Sequence, residues 1–330
     1  MPNTPVRIGI LGAARIAPMA LLRPARAVPE VSVLAVAARD RTRAQAFASK
    51  HGITRVHESY DALLADPEID AIYNPLPNSL HCEWSIKALR AGKHVLCEKP
   101  IAANAEEAER MAAAARETGR VLVEAFHWRY HPLAARMREI IDGGELGKIQ
   151  HVETHFCIPL PIPGDIRYRL DLAGGATMDT GCYAINILRF LAGAEPTVVR
   201  AEAKLSSPGV DRYMAADFRF ADGRTGRMTC ALFSAVLFRA SAHVRGERGT
   251  LTVFNPVAPQ FYHRLTVRSD KGTRRERISG DATYTYQLRA FAAAVRNGTP
   301  VPTGSDEAIA NMKVIDAVYS AAGLHPRGMA

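Results

Sequence analysis

The 330-residue chain carries 42 Lys and Arg against 33 Asp and Glu, a formal net charge of +9, and 48% of its residues are hydrophobic. That is ordinary for a globular protein with room for two cores, and it excludes disordered, collagenous and disulfide-scaffold chains. The basic residues are dispersed among acids, and no apolar run reaches the roughly 18 residues of a bilayer span, so neither a nucleic-acid nor a membrane partner is expected. Five cysteines without metal-type or Cys-x-x-Cys spacing fit a reducing compartment. Met1 to Arg7 leads directly into a strand-like run and has neither an apolar signal region nor a cleavage site, so a cytoplasmic location is expected.

The first third alternates short apolar strands with amphipathic helices, the pattern of a doubly wound parallel sheet. Arg7 to Leu11 and Val31 to Ala37 read as strands, with a helix over Ala14 to Ala27 between them that tolerates Pro18 near its start. Asp40 to Gly52, Glu83 to Ala91 and Glu106 to Thr118 read as helices. Ala71 to Asn74, Val95 to Cys97 and Val121 to Glu124 read as strands. After about Tyr130 the pattern changes: helix to about Asp142, then period-two strands joined by turns at Asp222-Gly223, Gly246 to Gly249 and Asp270 to Gly272. Two helices, Gln287 to Arg296 and Ser305 to Ala322, follow. The expected organisation is a dinucleotide-binding Rossmann domain over 1–125 and, over 126–330, an α/β domain with an open, mostly antiparallel sheet. A cleft between them is the usual place for a ligand.

Three segments carry chemistry. Gly9 to Ala17 follows the first strand, where a dinucleotide fingerprint belongs, but of its three glycines only Gly12 remains, with Ala14 and Ala17 in the other places. Gly12, Ala13, Ala14, Arg15 and Ile16 are therefore the candidate phosphate turn. The second strand ends in Arg39-Asp40, where NAD enzymes offer a lone carboxylate to the ribose. A guanidinium there clamps a 2'-phosphate, with Arg43 one turn later, so NADP is expected and Asp40 leaves NAD open. Lys99 ends the apolar run His94 to Cys97, and Pro100 pushes it toward an extended backbone at a strand end. Asp179 and Tyr183 stand four apart entering an apolar helix, a spacing that puts a carboxylate and a phenol on one helical face. The plain alternative is a helix cap and a core tyrosine.

Five landmarks in order, Gly9 to Ala17, Asn74 to His81, Glu98-Lys99-Pro100, Arg129 to Pro132 and Gly174 to Tyr183, resemble the glucose-fructose oxidoreductase, inositol dehydrogenase and rhizopine-catabolism (Gfo/Idh/MocA) family over nearly the whole chain. The resemblance implies the two-domain fold just described and homodimers or homotetramers formed through the second sheet. Inositol-type members carry histidine four residues after the aspartate. Tyr183 there, with Arg39, is similar to the branch of NADP-dependent D-xylose 1-dehydrogenase and dimeric dihydrodiol dehydrogenase. The resemblance thus implies oxidation of a sugar hydroxyl, with C1 of an aldose first in line. A trans-dihydrodiol, an anhydrosugar or a ketosugar stands as an alternative substrate, and a non-catalytic NADP-binding sensor as another class.

The resemblance also places Glu98 near a cofactor ribose, Pro75, Asn78 and His81 along the nicotinamide half, and Trp128 with Arg129 near the ring. A helix cap at His81 and a core position for Trp128 are the plain alternatives. Alcohol oxidation needs a proton acceptor on the hydroxyl, and Tyr183 with its phenolate favoured by the Lys99 ammonium is the candidate pair. Asp179 orients the sugar or the lysine, or shares the proton. The pairs His127/His131 and His151/His155 lack clustered acidic or thiol ligands, so no metal is expected.

Overall fold

The structure, a computed structural model, describes residues 4–162 and 164–329. Met1 to Asn3, the start of the N-terminal run discussed above, lie outside the described residues. The fold class is as expected, α/β with one parallel and one mostly antiparallel sheet. The chain divides into two compact units, residues 1–130 with 282–309, and residues 131–281 with 310–330.

The first unit holds six parallel strands, β1 (Val6–Leu11), β2 (Val31–Ala37), β3 (Arg55–His57), β4 (Ala71–Asn74), β5 (His94–Cys97) and β6 (Leu122–Glu124), in the order β3-β2-β1-β4-β5-β6. The order reverses between β1 and β4, the switch point at which open α/β sheets bind ligands beyond their carboxyl ends. Side-chain caps fix where the connecting helices begin. Asp40 accepts from Thr42 N and Arg43 N at the start of α2 (Arg41–His51), and Ser59 and Asn104 do the same for α3 (Tyr60–Ala65) and α5 (Ala105–Thr118). Left-handed Gly52 and Gly119 end α2 and α5. α4 (His81–Arg90) lies between β4 and β5 in sequence. β3 and α3 have no counterpart in the sequence reading.

The helix expected over Ala14 to Ala27 is not a regular α-helix. Pro18–Leu22 is a π turn in which Arg23 N donates to Pro18 O, and only α1 (Arg23–Ala25) follows. Two prolines in that stretch, Pro18 and Pro24, remove N–H donors from the ordinary ladder. The single boundary expected after residue 125 is also not how the chain divides. α8 (Thr283–Asn297) places Tyr284, Leu288, Phe291 and Ala292 in the same buried cluster as Val6, Ile8, Ile10, Val36 and Leu96, so residues 282–309 complete the first unit's core. Its apolar stripe has nowhere else in that unit to hide.

The second unit is built on eight strands, β7 (Ile149–Cys157), β8 (Thr197–Ser207), β9 (Val210–Arg219), β10 (Thr225–Ala231), β11 (Arg239–Gly246), β12 (Gly249–Phe254), β13 (Arg264–Ser269) and β14 (Gly272–Glu276), in the order β14-β13-β12-β11-β7-β10-β9-β8. All neighbours run antiparallel except β7 and β10, which are parallel. Alternation is clean on β12, where Leu251 and Val253 are buried and Thr252 is exposed. α7 (Cys182–Ala192) packs on β7 and β10 and is buried almost throughout. α6 (Pro132–Asp142) precedes the sheet, and α9 (Ser305–Ala321) begins in the first unit and continues in the second.

Candidate functional site

In the first unit the carboxyl ends of β1, β2, β4 and β5 bring Gly12, Arg39, Pro75 and Lys99 to one edge of the sheet. Gly12 adopts φ +84°, and a Cβ there would press to 3.1 Å from Leu76 Cδ2, so the turn needs glycine on both backbone and space grounds. Gly12 N donates to Ala37 O at 2.7 Å, tying the turn to the end of β2. Ala13, Ala14 and Ile16 are half-buried and Arg15 is exposed.

Arg39 and Arg43 are exposed, and both lie close enough to Tyr60 for their charges to pull on its phenol. Burial outweighs them and raises the Tyr60 pKa, so the phenol stays neutral. That hydroxyl would stand 3.7 Å from a Cβ on Gly12. Asp40 Oδ1 meanwhile accepts Thr42 N at 2.9 Å and Arg43 N at 3.2 Å. One of its two carboxylate oxygens is thus engaged in the helix cap. A small-residue turn at the switch point, flanked by two arginines and a phenol, fits a phosphorylated dinucleotide. Tyr60 was not legible as a site residue, because its only local signal was the Ser59 cap.

Around Lys99, which is half-buried, the environment is built from buried polar groups. Glu98 Oε1 accepts from Tyr73 OH at 2.7 Å, and Glu98 Oε2 lies 3.4 Å from Lys99 N. Ile101 N donates to Glu124 Oε1 at 2.8 Å, anchoring the loop after the cis Lys99-Pro100 bond to the end of β6. His81 is 1% exposed, with Nδ1 2.8 Å from Pro100 O and Nε2 2.7 Å from Leu76 O. It ties the loop after β4 to the segment after Lys99 through both ring nitrogens, so its observed role is to hold backbone. Burial pulls its pKa down to about 4, with the Lys99 charge acting in the same direction and the carbonyls opposing. His127 is lowered to about 3 by burial and by Lys99, bonds to Thr283 Oγ1 at 2.8 Å and lies on the Tyr284 ring at 4.0 Å between centroids. Both imidazoles are therefore neutral near pH 7.

Trp128 is 1% exposed and is the bulkiest fully buried side chain, as its plain alternative, a core position, requires. Arg129 stacks over that indole at 5.7 Å and faces Glu307 at 3.8 Å. Pro75 is buried and Asn78 half-buried.

In the second unit Thr177–Gly181 forms a π turn that runs directly into α7. Asp179 lies in the π turn and Tyr183 in the first turn of α7, so the four-residue spacing does not sit on one regular α-helix. Tyr183 is buried, with its ring edge-on to Phe156 at 5.5 Å. Asp179 Oδ2 is 3.0 Å from Arg167 Nε, and Arg167 Nη1 is 3.0 Å from Asp165 Oδ1. Asp179 foremost holds the Arg167 pKa up. Arg167 escaped the sequence reading because only the fold brings it to Asp179. Among the described residues no cluster of three or more His, Cys, Asp or Glu is placed to hold a metal, and no helix is long and apolar enough to cross a membrane.

A glycine turn at the switch point of a parallel sheet, a strand-end lysine, and a second, antiparallel-sheet unit bearing an aspartate and a tyrosine define the class: a nucleotide-dependent two-unit α/β oxidoreductase. Comparison with known proteins agrees. Residues 6–126 match the oxidoreductase family with the NAD-binding Rossmann fold, and residues 134–252 match the Gfo/Idh/MocA C-terminal domain. The chain is 36% identical to the D-xylose 1-dehydrogenase (NADP(+)) 2 of Haloferax volcanii, over 95% of this chain and 96% of that protein. It is 35% identical to a dTDP-3,4-didehydro-2,6-dideoxy-alpha-D-glucose 3-reductase of Streptomyces violaceoruber, over 97% and 96%. The crystal structure of a 3-ketoreductase from Actinomadura kijaniata in complex with NADP and TDP-benzene superposes with a TM-score of 0.90 at 32% identity, covering 96% of this chain and 98% of that one. The chain belongs to the Gfo/Idh/MocA oxidoreductase family.

Proposed function

We propose that this protein is an NADP-dependent oxidoreductase acting on a sugar, and that it oxidises C1 of an aldose to a lactone. The observation that carries the reading is the position of Lys99 at the carboxyl end of β5, on the sheet edge that also holds Gly12 and Arg39. The names of similar proteins, a xylose dehydrogenase using NADP and a ketoreductase crystallised with NADP, support it. Gly12 to Ile16 hold the pyrophosphate, Arg39 and Arg43 the 2'-phosphate, and Glu98 a ribose. Bound NADP accepts the hydride leaving the carbinol carbon.

The chain's own work is with the proton. Lys99 and Tyr183 are assigned to the same substrate hydroxyl: the Tyr183 oxygen takes the proton while the Lys99 ammonium favours the phenolate and hydrogen-bonds the developing alkoxide. A free phenol with a pKa of about 10 needs such help near neutrality. Asp179, held by Arg167, orients the sugar. The same groups run the reverse reaction, so the second reading is reduction of a keto group on a nucleotide-linked sugar, favoured by the likeness to the dTDP-sugar 3-reductases. Self-association through the open face of the second sheet belongs to the proposal. Leu237, Phe238, Phe261 and Tyr262 are large apolar side chains exposed in that unit.

The test follows absorbance of the reduced nicotinamide with NADP and then NAD across aldoses, polyols and trans-dihydrodiols, and its loss with keto sugars and NADPH. The expected result is turnover of an aldose with NADP, and a kcat about 100-fold or more lower in Tyr183→Phe with NADP affinity unchanged. Turnover only with keto sugars moves the assignment to the reductase reading. Near-normal turnover by Tyr183→Phe refutes the proton acceptor.

A further inference from the structure

Asp211, at the start of β9, is 0% exposed and takes four hydrogen bonds. Its Oδ2 accepts Thr177 N and Thr177 Oγ1, each at 2.7 Å. Its Oδ1 accepts Tyr319 OH at 2.9 Å and Arg327 Nη2 at 2.7 Å. The Arg327 guanidinium, 2% exposed, stacks over the Tyr319 ring at 4.1 Å and gives its Nε–H to Gly174 O at 2.7 Å. All four side chains lie in the second unit, and the charges meet away from water.

This cluster grips the backbone on both sides of a short span. Gly174 O is held by Arg327 and Thr177 N by Asp211. Between them Gly175 sits at φ +136°, where a Cβ would fall 2.2 Å from Asp211 Oδ1 and 2.8 Å from both Arg327 Nη2 and Tyr319 OH. Gly175 O in turn accepts Asp179 N at 3.1 Å. Glycine at 175 is therefore dictated by a buried ion pair that only folding brings to it, and Thr177 opens the π turn that carries Asp179 and leads into Tyr183.

We infer that Arg327 and Asp211 are positioning residues for the reaction. Neither is assigned to substrate or cofactor, and they set the register of the π turn and so the aim of Asp179 and Tyr183. An unpaired buried carboxylate is costly, so loss of Arg327 forces Asp211 to take up a proton or to move. Either change releases Thr177 N or Gly174 O and lets the turn shift. Misplacement of reacting groups by about 1 Å costs on the order of 100-fold in rate. The inference rests on the assignment of Tyr183 as proton acceptor, and the experiment separates the two.

The experiment measures kcat, KM for the sugar, NADP affinity and melting temperature for Arg327→Gln, Tyr183→Phe and the double variant, well below the lowest melting temperature. Arg327→Gln is expected to lose about 10- to 100-fold in kcat with NADP affinity unchanged, because the nucleotide is assigned to the first unit. The double variant is expected to be no slower than Tyr183→Phe alone, since Arg327 acts through the turn bearing that phenol. A kcat for Arg327→Gln within about twofold of the parent, whatever its melting temperature, overturns the inference, as does full additivity in the double variant. Normal turnover by Tyr183→Phe overturns the functional reading instead. If Arg327→Gln does not fold, Tyr319→Phe removes one bond to Asp211 Oδ1 while keeping the ring, and the same ordering, smaller in size, is required of it.

Discussion

Replacing Arg39 with alanine should separate the two nicotinamide cofactors. Arg39 is exposed at the end of β2, and the neighbouring carboxylate is already bound to Thr42 N and Arg43 N. On the proposed reading, the loss is one guanidinium from a 2'-phosphate, with no carboxylate freed to bind a ribose in its place. A hydrogen bond to a charged group contributes about 1.5–3 kcal/mol, and exposure pushes this one to the lower end. At about 1.4 kcal/mol per decade, NADPH should bind roughly 10- to 30-fold more weakly. NADH, which has no 2'-phosphate, should change less than about twofold. Fluorescence titration of both nucleotides measures this. Because the Debye length falls from about 10 Å at 0.1 M salt to about 3 Å at 1 M, the parent's preference for NADPH should shrink with salt, and the variant's should shrink less. Equal losses for NADPH and NADH, or a preference indifferent to salt in the parent, would refute the clamp.

Two further predictions concern stability. Phe291→Ala should cost about 3–5 kcal/mol, and hydrogen exchange should show the lost protection in β1 and β2, whose Ile8, Ile10 and Val36 share its cluster. Loss confined to β7–β14 would contradict the assignment of α8 to the first unit. Glu276 receives Arg136 Nε at 2.7 Å and Arg274 Nε at 2.7 Å, and its pKa falls to about 2, chiefly through Arg136. A carboxylate depressed in the folded state stabilises above its unfolded pKa of about 4.3, and that contribution is lost as pH falls toward 2. The melting-temperature gap between the parent and Glu276→Gln should therefore close progressively between about pH 5 and pH 1, and a gap independent of pH would show that the pair contributes nothing.

What was legible in the sequence was what is written locally. Apolar alternation, caps such as Asp40 and Asn104, and stop glycines such as Gly52 and Gly119 are short-range patterns, and they delivered the parallel sheet and most helix limits. Lys99 stood out because a proline and a strand end are adjacent in the chain. The π turn at Thr177 left no trace, because a shift from four- to five-residue hydrogen bonding changes no residue type, and the one at Pro18 left only its two prolines. Three residues, Tyr60, Arg167 and Arg327, acquire their partners only through folding. His81 and Trp128 meet the opposite limit: a polar ring and an indole look the same in sequence whether they face a ligand or fill a core. For α8 the amphipathic stripe announced burial but not against which sheet.

The return of residues 282–309 to the first unit has a consequence for how the chain is made. The parallel sheet is written in the first 124 residues, yet the side chains that finish its core, Leu288 and Phe291 among them, are more than 160 residues farther along. At roughly 5–20 residues per second, a ribosome leaves that apolar surface uncovered for on the order of 8–30 s, while the whole second sheet is being synthesised. During nascent life the nucleotide-binding unit is an intermediate awaiting its last helix, which makes the face beneath α8 the surface on which a chaperone would have most to gain.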